Sequence, residues 1–371
     1  MDTWDPYQAL YLHIPFCKKR CNYCDFATQA ISCNDSRLDS FTDDLIREIR
    51  NYSQKELLGE IKTVYLGGGT PSYLGNKRLS SILYALSISM HLTPEVECTL
   101  EANPESLTSA MVRDLFALGV NRISLGIQSF DDDLLKLLGR IHDSEQAIRA
   151  VDRAQERFTN ISVDLMCGLP GQTVESFHHD LERAISLGIQ HISVYPLTIE
   201  EGTPFARQLE KGELLFDEDL GALCMEDAHS YLTSKGMNHY EVASYALPGF
   251  ESRHNSAYWT SKPYLGLGCG AVSMRQNQLC RQRYSVVDGL IEELDIFQMT
   301  AEDLMLKMRM RTGVCDGDLE IASILLPEVL SVFRKLEHEG FLVHHDDSWI
   351  PTHKGWMFGN QLYGRILDLA P

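Results

Sequence analysis

A chain of 371 residues, 44% hydrophobic and 23% charged, has room for one large domain and a smaller one with buried cores. Its formal charge of −19, from 52 acidic and 33 basic side chains, excludes a general nucleic-acid binder, because phosphate binding needs lysine and arginine to neutralise the backbone. The start reads Met1-Asp2-Thr3-Trp4-Asp5, acidic where a signal peptide is basic, and no uncharged apolar run approaches a bilayer span. A cytoplasmic protein is expected, in which ten cysteines do not make a disulfide framework.

Along the chain, short β-rich runs alternate with helical patterns. The runs are Ala9–Ile14, Lys62–Leu66, Glu97–Leu100, Arg122–Ile127, Ile161–Met166 and His191–Leu197. Amphipathic stretches lie between them: Leu38–Glu48, Leu79–Ile88, Leu107–Leu118, Glu145–Arg157 and Val174–Leu187. Leu118-Gly119 and Leu187-Gly188 read as helix stops, with glycine taking the left-handed conformation. Strands rich in Val, Ile and Leu, each followed by a helix, argue for an α/β fold with a parallel sheet. Six units in a row predict a partial (βα)6-type barrel, with an open doubly wound sheet as the alternative.

Beyond Gly202 the pattern changes. Glu218–Ser234 reads as a helix and Met237–Tyr245 as a strand; Ser252–Trp259 and Tyr264–Gly270 read as irregular. Ala301–Met310 and Pro327–Glu339 read as helices, and Phe341–His345 with Ser348–Ile350 as a hairpin across Asp346-Asp347. The expected division is a barrel core over 1–235, an irregular extension over 236–295, and a small winged-helix-like α+β domain over 296–371.

Chemistry concentrates after the first run, where Cys17, Cys21 and Cys24 have C-x3-C-x2-C spacing. Three thiolates can hold a [4Fe–4S] cluster and leave its fourth iron open to a ligand. Lys18, Lys19 and Arg20 lie inside the loop and can offset the thiolate charge. A zinc site with His13 as fourth ligand, or three reduced structural thiols, are the alternatives at this point. Gly67-Gly68-Gly69-Thr70-Pro71 follows the second run and offers exposed backbone to a polar ligand, although such a run is often only a tight turn. Glu101 and Gln128 close the third and fourth runs, Asp164 lies within the fifth, and Arg140 follows the fourth by one short helix. In a βα barrel these positions face one mouth. The pairs His178-His179 and His344-His345 read as solvated surface.

Tyr11-Leu12-His13-Ile14-Pro15-Phe16-Cys17, Cys21-Asn22-Tyr23-Cys24-Asp25-Phe26 and Gly67–Pro71 resemble radical S-adenosylmethionine (SAM) proteins of the oxygen-independent coproporphyrinogen dehydrogenase group. The likeness runs along most of the chain, including Leu304–Arg311 and Phe341–Asn360. It implies a radical SAM barrel with the cluster on Cys17, Cys21 and Cys24. It also implies SAM against Tyr11, Tyr23, Gly68, Gly69, Thr70, Glu101, Gln128, Arg140 and Asp164, with Glu101 on its polar groups.

Two departures separate the chain from the dehydrogenases. Those continue the motif to a fourth cysteine, where this chain has Phe26, and they carry a longer segment before the cluster. Both features resemble the heme-chaperone branch, as does His254-Asn255-Ser256-Ala257-Tyr258-Trp259, the H-N-x-x-Y-W signature associated there with heme. The resemblance implies heme as a bound group, His254 as its ligand with flat apolar surface from Tyr258 and Trp259, and delivery to hemoproteins such as respiratory ones. It further implies a homodimer, transient membrane association, and a chaperone on a radical SAM fold rather than a coproporphyrinogen oxidase. From the residues alone, a structural histidine with core aromatics explains the same stretch.

Overall fold

A computed structural model describes residues 4–90, 93 and 95–371; Met1–Thr3, part of the acidic start noted above, lie outside the described residues. Six strands carry the barrel: β1 (Ala9–Ile14), β2 (Thr63–Gly68), β3 (Glu97–Ala102), β4 (Arg122–Gln128), β5 (Ile161–Cys167) and β6 (His191–Pro196). They are mutually parallel and neighbour one another in sequence order. A doubly wound sheet reverses its strand order at a switch point. This one does not, so the barrel reading holds.

The helices form because their caps and apolar stripes agree. After β1 comes α1 (Arg37–Gln54), after β2 α2 (Asn76–Met90), and after β3 α3 (Ser109–Ala117). Between β4 and β5 lie α4 (Asp132–Leu138) and α5 (Ser144–Gln155), and α6 (Val174–Ser186) joins β5 to β6. Thr108, Asp131, Asp143 and Thr173 each cap the helix that follows through a side-chain oxygen. Gly119 (φ 97°) and Gly188 (φ 72°) stop α3 and α6 as their sequence predicts. Leu10, Leu12, Val64, Leu66, Ile123, Leu125, Val163 and Leu165 are fully buried at alternate positions, so each strand turns an apolar face to the helices and leaves the other face for polar side chains such as Ser124 and Asp164.

The segment 236–295 differs from expectation. Met237–Tyr245 is not one strand but a tight antiparallel pair, β7 (Asn238–Glu241) and β8 (Ser244–Ala246), of which β8 runs antiparallel to the β6 edge and β7 lies outermost. Ser252–Trp259 is helical: α9 (Arg253–Trp259) is capped by the Ser252 hydroxyl. Tyr264–Leu267 forms β9, parallel to β1. A meander of β10 (Val272–Gln276), β11 (Cys280–Ser285) and β12 (Gly289–Asp295) extends that edge. One sheet of twelve strands therefore runs from β12 to β7. The meander was missed because its sequence, such as Arg281-Gln282-Arg283 and Glu292-Glu293, is too polar to look like a buried strand.

The C-terminal residues have their own apolar cluster, including Leu304, Leu319, Phe333, Trp349 and Leu362. It joins α10 (Ile296–Lys307), α11 (Asp316–Ser323) and α12 (Val329–His338) to an antiparallel sheet ordered β13 (Val314–Cys315), β15 (Ser348–Pro351), β14 (Leu342–His345). Asp346, at φ 54°, turns the expected hairpin. Two further helices, α13 (His353–Met357) and α14 (Gly359–Leu367), close the chain.

Candidate functional site

The three cysteines meet at the carboxyl end of the barrel strands. Phe16–Cys17 pairs with Gln29–Ala30, which pinches the loop between them into a lobe. That loop is fastened to α4: Asn22 donates from its backbone to the Leu138 carbonyl (2.9 Å) and from its side chain to the Leu137 carbonyl (2.8 Å). The Phe205 amide donates to the Asn22 carbonyl from the start of α7 (Pro204–Glu210) at 3.1 Å. Beneath the loop Leu134, Leu138, Met166, Leu169 and Phe205 make a separate apolar cluster against which Tyr23 packs. Phe205→Ala is expected to destabilise the chain by about 3–5 kcal/mol, the usual range for emptying a buried phenylalanine site. The same variant should release iron faster from a reconstituted cluster; denaturant unfolding and iron retention after dilution check both.

A cavity of about 360 Å³ opens over the cysteines. Cys17, Cys21, Cys24, Tyr23, Gly68, Gly69, Thr70, Glu101, Gln128, Arg140 and Asp164 all line it, which is every sequence-derived residue of the mouth except Tyr11. Tyr11 lies on β1 in the barrel interior, its hydroxyl 3.0 Å from His13 Nδ1. Lys19 and Arg20 from the loop line the cavity too. Asn103, missed in the sequence, ties the site together: its side chain donates to Thr70 Oγ1 (3.1 Å) and accepts from Arg140 Nη2 (2.7 Å). Only its place two residues after Glu101 could have pointed to it.

The polar groups match thiolate ligands. Burial pushes the Cys17 thiol up, and the Thr70 hydroxyl, donating to Cys17 Sγ at 3.5 Å, pulls the other way. Arg140 donates through Nη1 to Cys21 Sγ (3.5 Å) and through Nη2 to the Gly126 carbonyl (2.5 Å), while its buried Nε has no partner. A Cβ at Gly69 would sit 3.0 Å from Cys17 Sγ and 2.8 Å from the Phe16 carbonyl, so glycine alone keeps the backbone this close. Gln128 has φ 72° where β4 slips register against β5 beyond Gly126, a bulge that re-aims its side chain at the mouth. Burial pushes the Glu101 carboxyl up to about 7, although the Tyr65 hydroxyl (2.7 Å) and the Gly68 amide (3.2 Å) both donate to it. Burial raises Asp164 as well, against the pull of Arg122 and a hydrogen bond from Ser124 (3.2 Å to Oδ2).

His13 does not serve as a fourth ligand. Its Nδ1 faces the Tyr11 hydroxyl and its Nε2 lies 3.0 Å from the Ala27 carbonyl, so neither nitrogen is left for zinc.

His254 lies elsewhere. Its Nδ1 is 2.9 Å from Thr63 Oγ1, at the start of β2, and its backbone amide donates to Glu97, at the start of β3. Helix α9 therefore plugs the amino end of the barrel, opposite the cysteines. Nε2 faces the Tyr258 hydroxyl at 3.0 Å, and the ring stacks on Tyr65 at 5.0 Å. The side chain is 1% exposed, and burial lowers its pKa to about 3. In this arrangement both ring nitrogens of His254 are engaged. The expected flat surface is occupied too: Trp259 donates to Glu241 (2.9 Å) and lies under Arg309. His179, His344 and His345 are exposed as expected and His178 is half-buried; at the surface His178 pairs with Asp227 and His344 with Asp316.

A model of the Radical SAM superfamily matches residues 11–184. The chain is 32% identical to the heme chaperone HemW of Bacillus subtilis (strain 168), across 97% of this chain and 99% of that one. The chain belongs to the HemW family. It is also 38% identical to the heme chaperone HemW of Escherichia coli (strain K12), covering 72% of this chain and 70% of that one. In structure it is similar to the coproporphyrinogen III oxidase HemN of Escherichia coli, a radical SAM enzyme, with a TM-score of 0.79 over 98% of this chain and 90% of that one. At 22% identity this likeness shows the shared fold. As a HemW-family radical SAM protein, the chain has a [4Fe–4S] cluster and SAM as its implied cofactors. The mouth fits them: three cysteines without a fourth protein ligand, two of them met by hydrogen-bond donors, beside a cavity walled by carboxylates and glycine backbone. Cys17, Cys21 and Cys24 would hold the cluster, which when reduced supplies an electron to the SAM sulfonium.

Proposed function

We propose that this chain is a cytoplasmic heme chaperone that binds heme and hands it to heme-accepting proteins such as respiratory hemoproteins. The observation that carries the reading is correspondence along nearly the full chain with relatives named heme chaperone, joined to Phe26 where the dehydrogenases have a fourth cysteine. Phe26 is 64% exposed at the rim of the mouth. The reading includes a homodimer and transient membrane association through a membrane-bound acceptor. Among the described residues no helix is long and apolar enough to cross a membrane.

His254 is the proposed heme ligand. Because both its nitrogens are engaged, heme reaches it only when α9 withdraws from the barrel base. That movement also frees Tyr65, whose hydroxyl holds Glu101 at the mouth. Heme loading and the SAM site are thereby linked through one side chain.

The test is a hemin titration of cluster-reconstituted protein, with 5′-deoxyadenosine and porphyrin products assayed in the same samples. Stoichiometric heme binding without coproporphyrinogen turnover is the expected result. Conversion of coproporphyrinogen with no heme uptake would make the chain an oxidase.

Glu101 gives SAM binding a pH signature. With a carboxyl near 7, most of it is protonated below neutrality, and only the ionised form attracts the SAM ammonium. SAM affinity is expected to rise as the pH goes from about 5.5 to 7, by up to about tenfold per unit, and then level off. In Glu101→Gln that slope should vanish. A slope retained in the variant removes Glu101 from this role.

A further inference from the structure

Three histidines lie together away from the mouth. His229 comes from α8 (Glu218–Ser234), His239 from β7, and His353 from the first turn of α13. Each brings a ring nitrogen within 4.8 Å of the others, and no other group of three His, Cys, Asp or Glu converges this closely among the described residues. His229 Nδ1 and His239 Nδ1 are 3.1 Å apart, and the rings of His229 and His353 stack at 4.6 Å.

A purely structural role accounts for part of this. Two neutral imidazoles at 3.1 Å can share one hydrogen bond, which satisfies the facing Nδ1 atoms of His229 and His239 but leaves His239 Nε2 enclosed without a partner. It does nothing for His353, both of whose ring nitrogens are enclosed with no partner. Enclosed polar atoms without partners are uncommon because they lose water and gain nothing. The His239 ring is meanwhile held in place, stacked on Tyr245 at 4.1 Å and met edge-on by Trp356 at 4.2 Å. Burial lowers the pKa of all three rings, which favours the neutral form that ligates metals.

We propose that His229, His239 and His353 form a binding site for one divalent transition-metal ion of the zinc class. Zinc–nitrogen bonds of about 2.0–2.1 Å put the nitrogens of a tetrahedral site about 3.3 Å apart. The His229–His239 pair already has nearly that spacing, and the third nitrogen has to close by no more than about 1.5 Å, within reach of a side-chain rotation. Three imidazoles leave a fourth position for water or a small Lewis base. His239 and His353 also line a cavity of about 590 Å³ whose walls include Leu197, Phe216, Met225 and Trp356, so that position opens onto an apolar chamber. Pro196 and Thr198 wall both this chamber and the cysteine mouth, so the two sites are neighbours. His239 lies on the edge strand β7 of the large sheet, His229 on helix α8 packed against that edge, and His353 on the C-terminal helices, so the ion joins the two apolar cores.

Zinc itself is the probe. The full chain with its reconstituted cluster is loaded with zinc, desalted, analysed for metals and measured by X-ray absorption at the zinc edge. One zinc per chain beyond the iron is expected, with a nitrogen or oxygen first shell and the outer scattering of imidazole. His353→Ala and His229→Ala should each weaken zinc binding at least tenfold with iron content unchanged. A zinc shell containing sulfur, no bound zinc in the wild type, or wild-type zinc affinity in both variants overturns the proposal. The wild-type spectrum decides the ligand set even if a variant does not fold.

Discussion

Cys17→Ala is expected to yield a folded chain that retains no cluster: iron near background after reconstitution, loss of the broad visible absorption, and SAM affinity reduced at least tenfold. Cys17 is the most deeply set of the three ligands, held between the Thr70 hydroxyl and the Gly69 backbone. Folding should survive, because the barrel core lies on the helices and strands below the loop and a buried Cys→Ala change removes one sulfur. That places the expected stability loss at about 1–2 kcal/mol, read by denaturant unfolding. Arg140→Met is the complementary case. It keeps three sulfur ligands but strands Cys21, Asn103 and the Gly126 carbonyl without their shared donor. A cluster should form and then be lost within the time that wild type retains it. Wild-type iron and SAM binding in Cys17→Ala would remove this cysteine from the site altogether.

His254→Ala is expected to lower stability by about 2–4 kcal/mol, the sum of a cavity and the unpaired Thr63 and Tyr258 hydroxyls. Heme affinity should fall as well, since the proposed axial ligand is gone. Stability and heme are separated by a second measurement on wild type: hydrogen exchange across residues 253–259 with and without hemin. Faster exchange of α9 on adding hemin is the expected outcome, because His254 cannot meet iron while it is bonded at the barrel base. If the helix stays protected in the heme-bound protein, His254 is a structural residue and the heme is held elsewhere. The pKa of about 3 sets no switch at physiological pH. Burial depresses it, so the neutral ring in the fold costs nothing above the unfolded value near 6.5, and stability is lost progressively as the pH falls from there toward the folded value of about 3.

The barrel was legible because its information is local. A run such as Ile161–Met166 puts Ile161, Val163 and Leu165 at alternate positions, the period of a strand with one face on an apolar layer, and a Thr173 or Asp143 in front of a helix declares the cap within three residues. The cysteine triplet was legible for the same reason: C-x3-C-x2-C puts the ligands in one short loop. The helix over Arg253–Trp259 was not, because seven residues with two aromatics and a histidine have no decisive period. It forms on tertiary support, since Glu97 accepts both first-turn amides, 156 and 157 residues away.

By itself, then, the sequence determined the order of the six barrel strands and their helices, the spacing of the three cysteines and most of the residues that gather around the mouth, all of them properties of short segments repeated along a parallel sheet. Only the tertiary structure decided which end of the barrel each polar residue faces and what it touches. His254 is bonded to Thr63 across 191 residues, and His353 meets His229 and His239 only because the C-terminal helices pack on the sheet edge. A nitrogen's availability to a metal depends on who else holds it, and those partners are brought by folding from parts of the chain that carry no mark of the pairing.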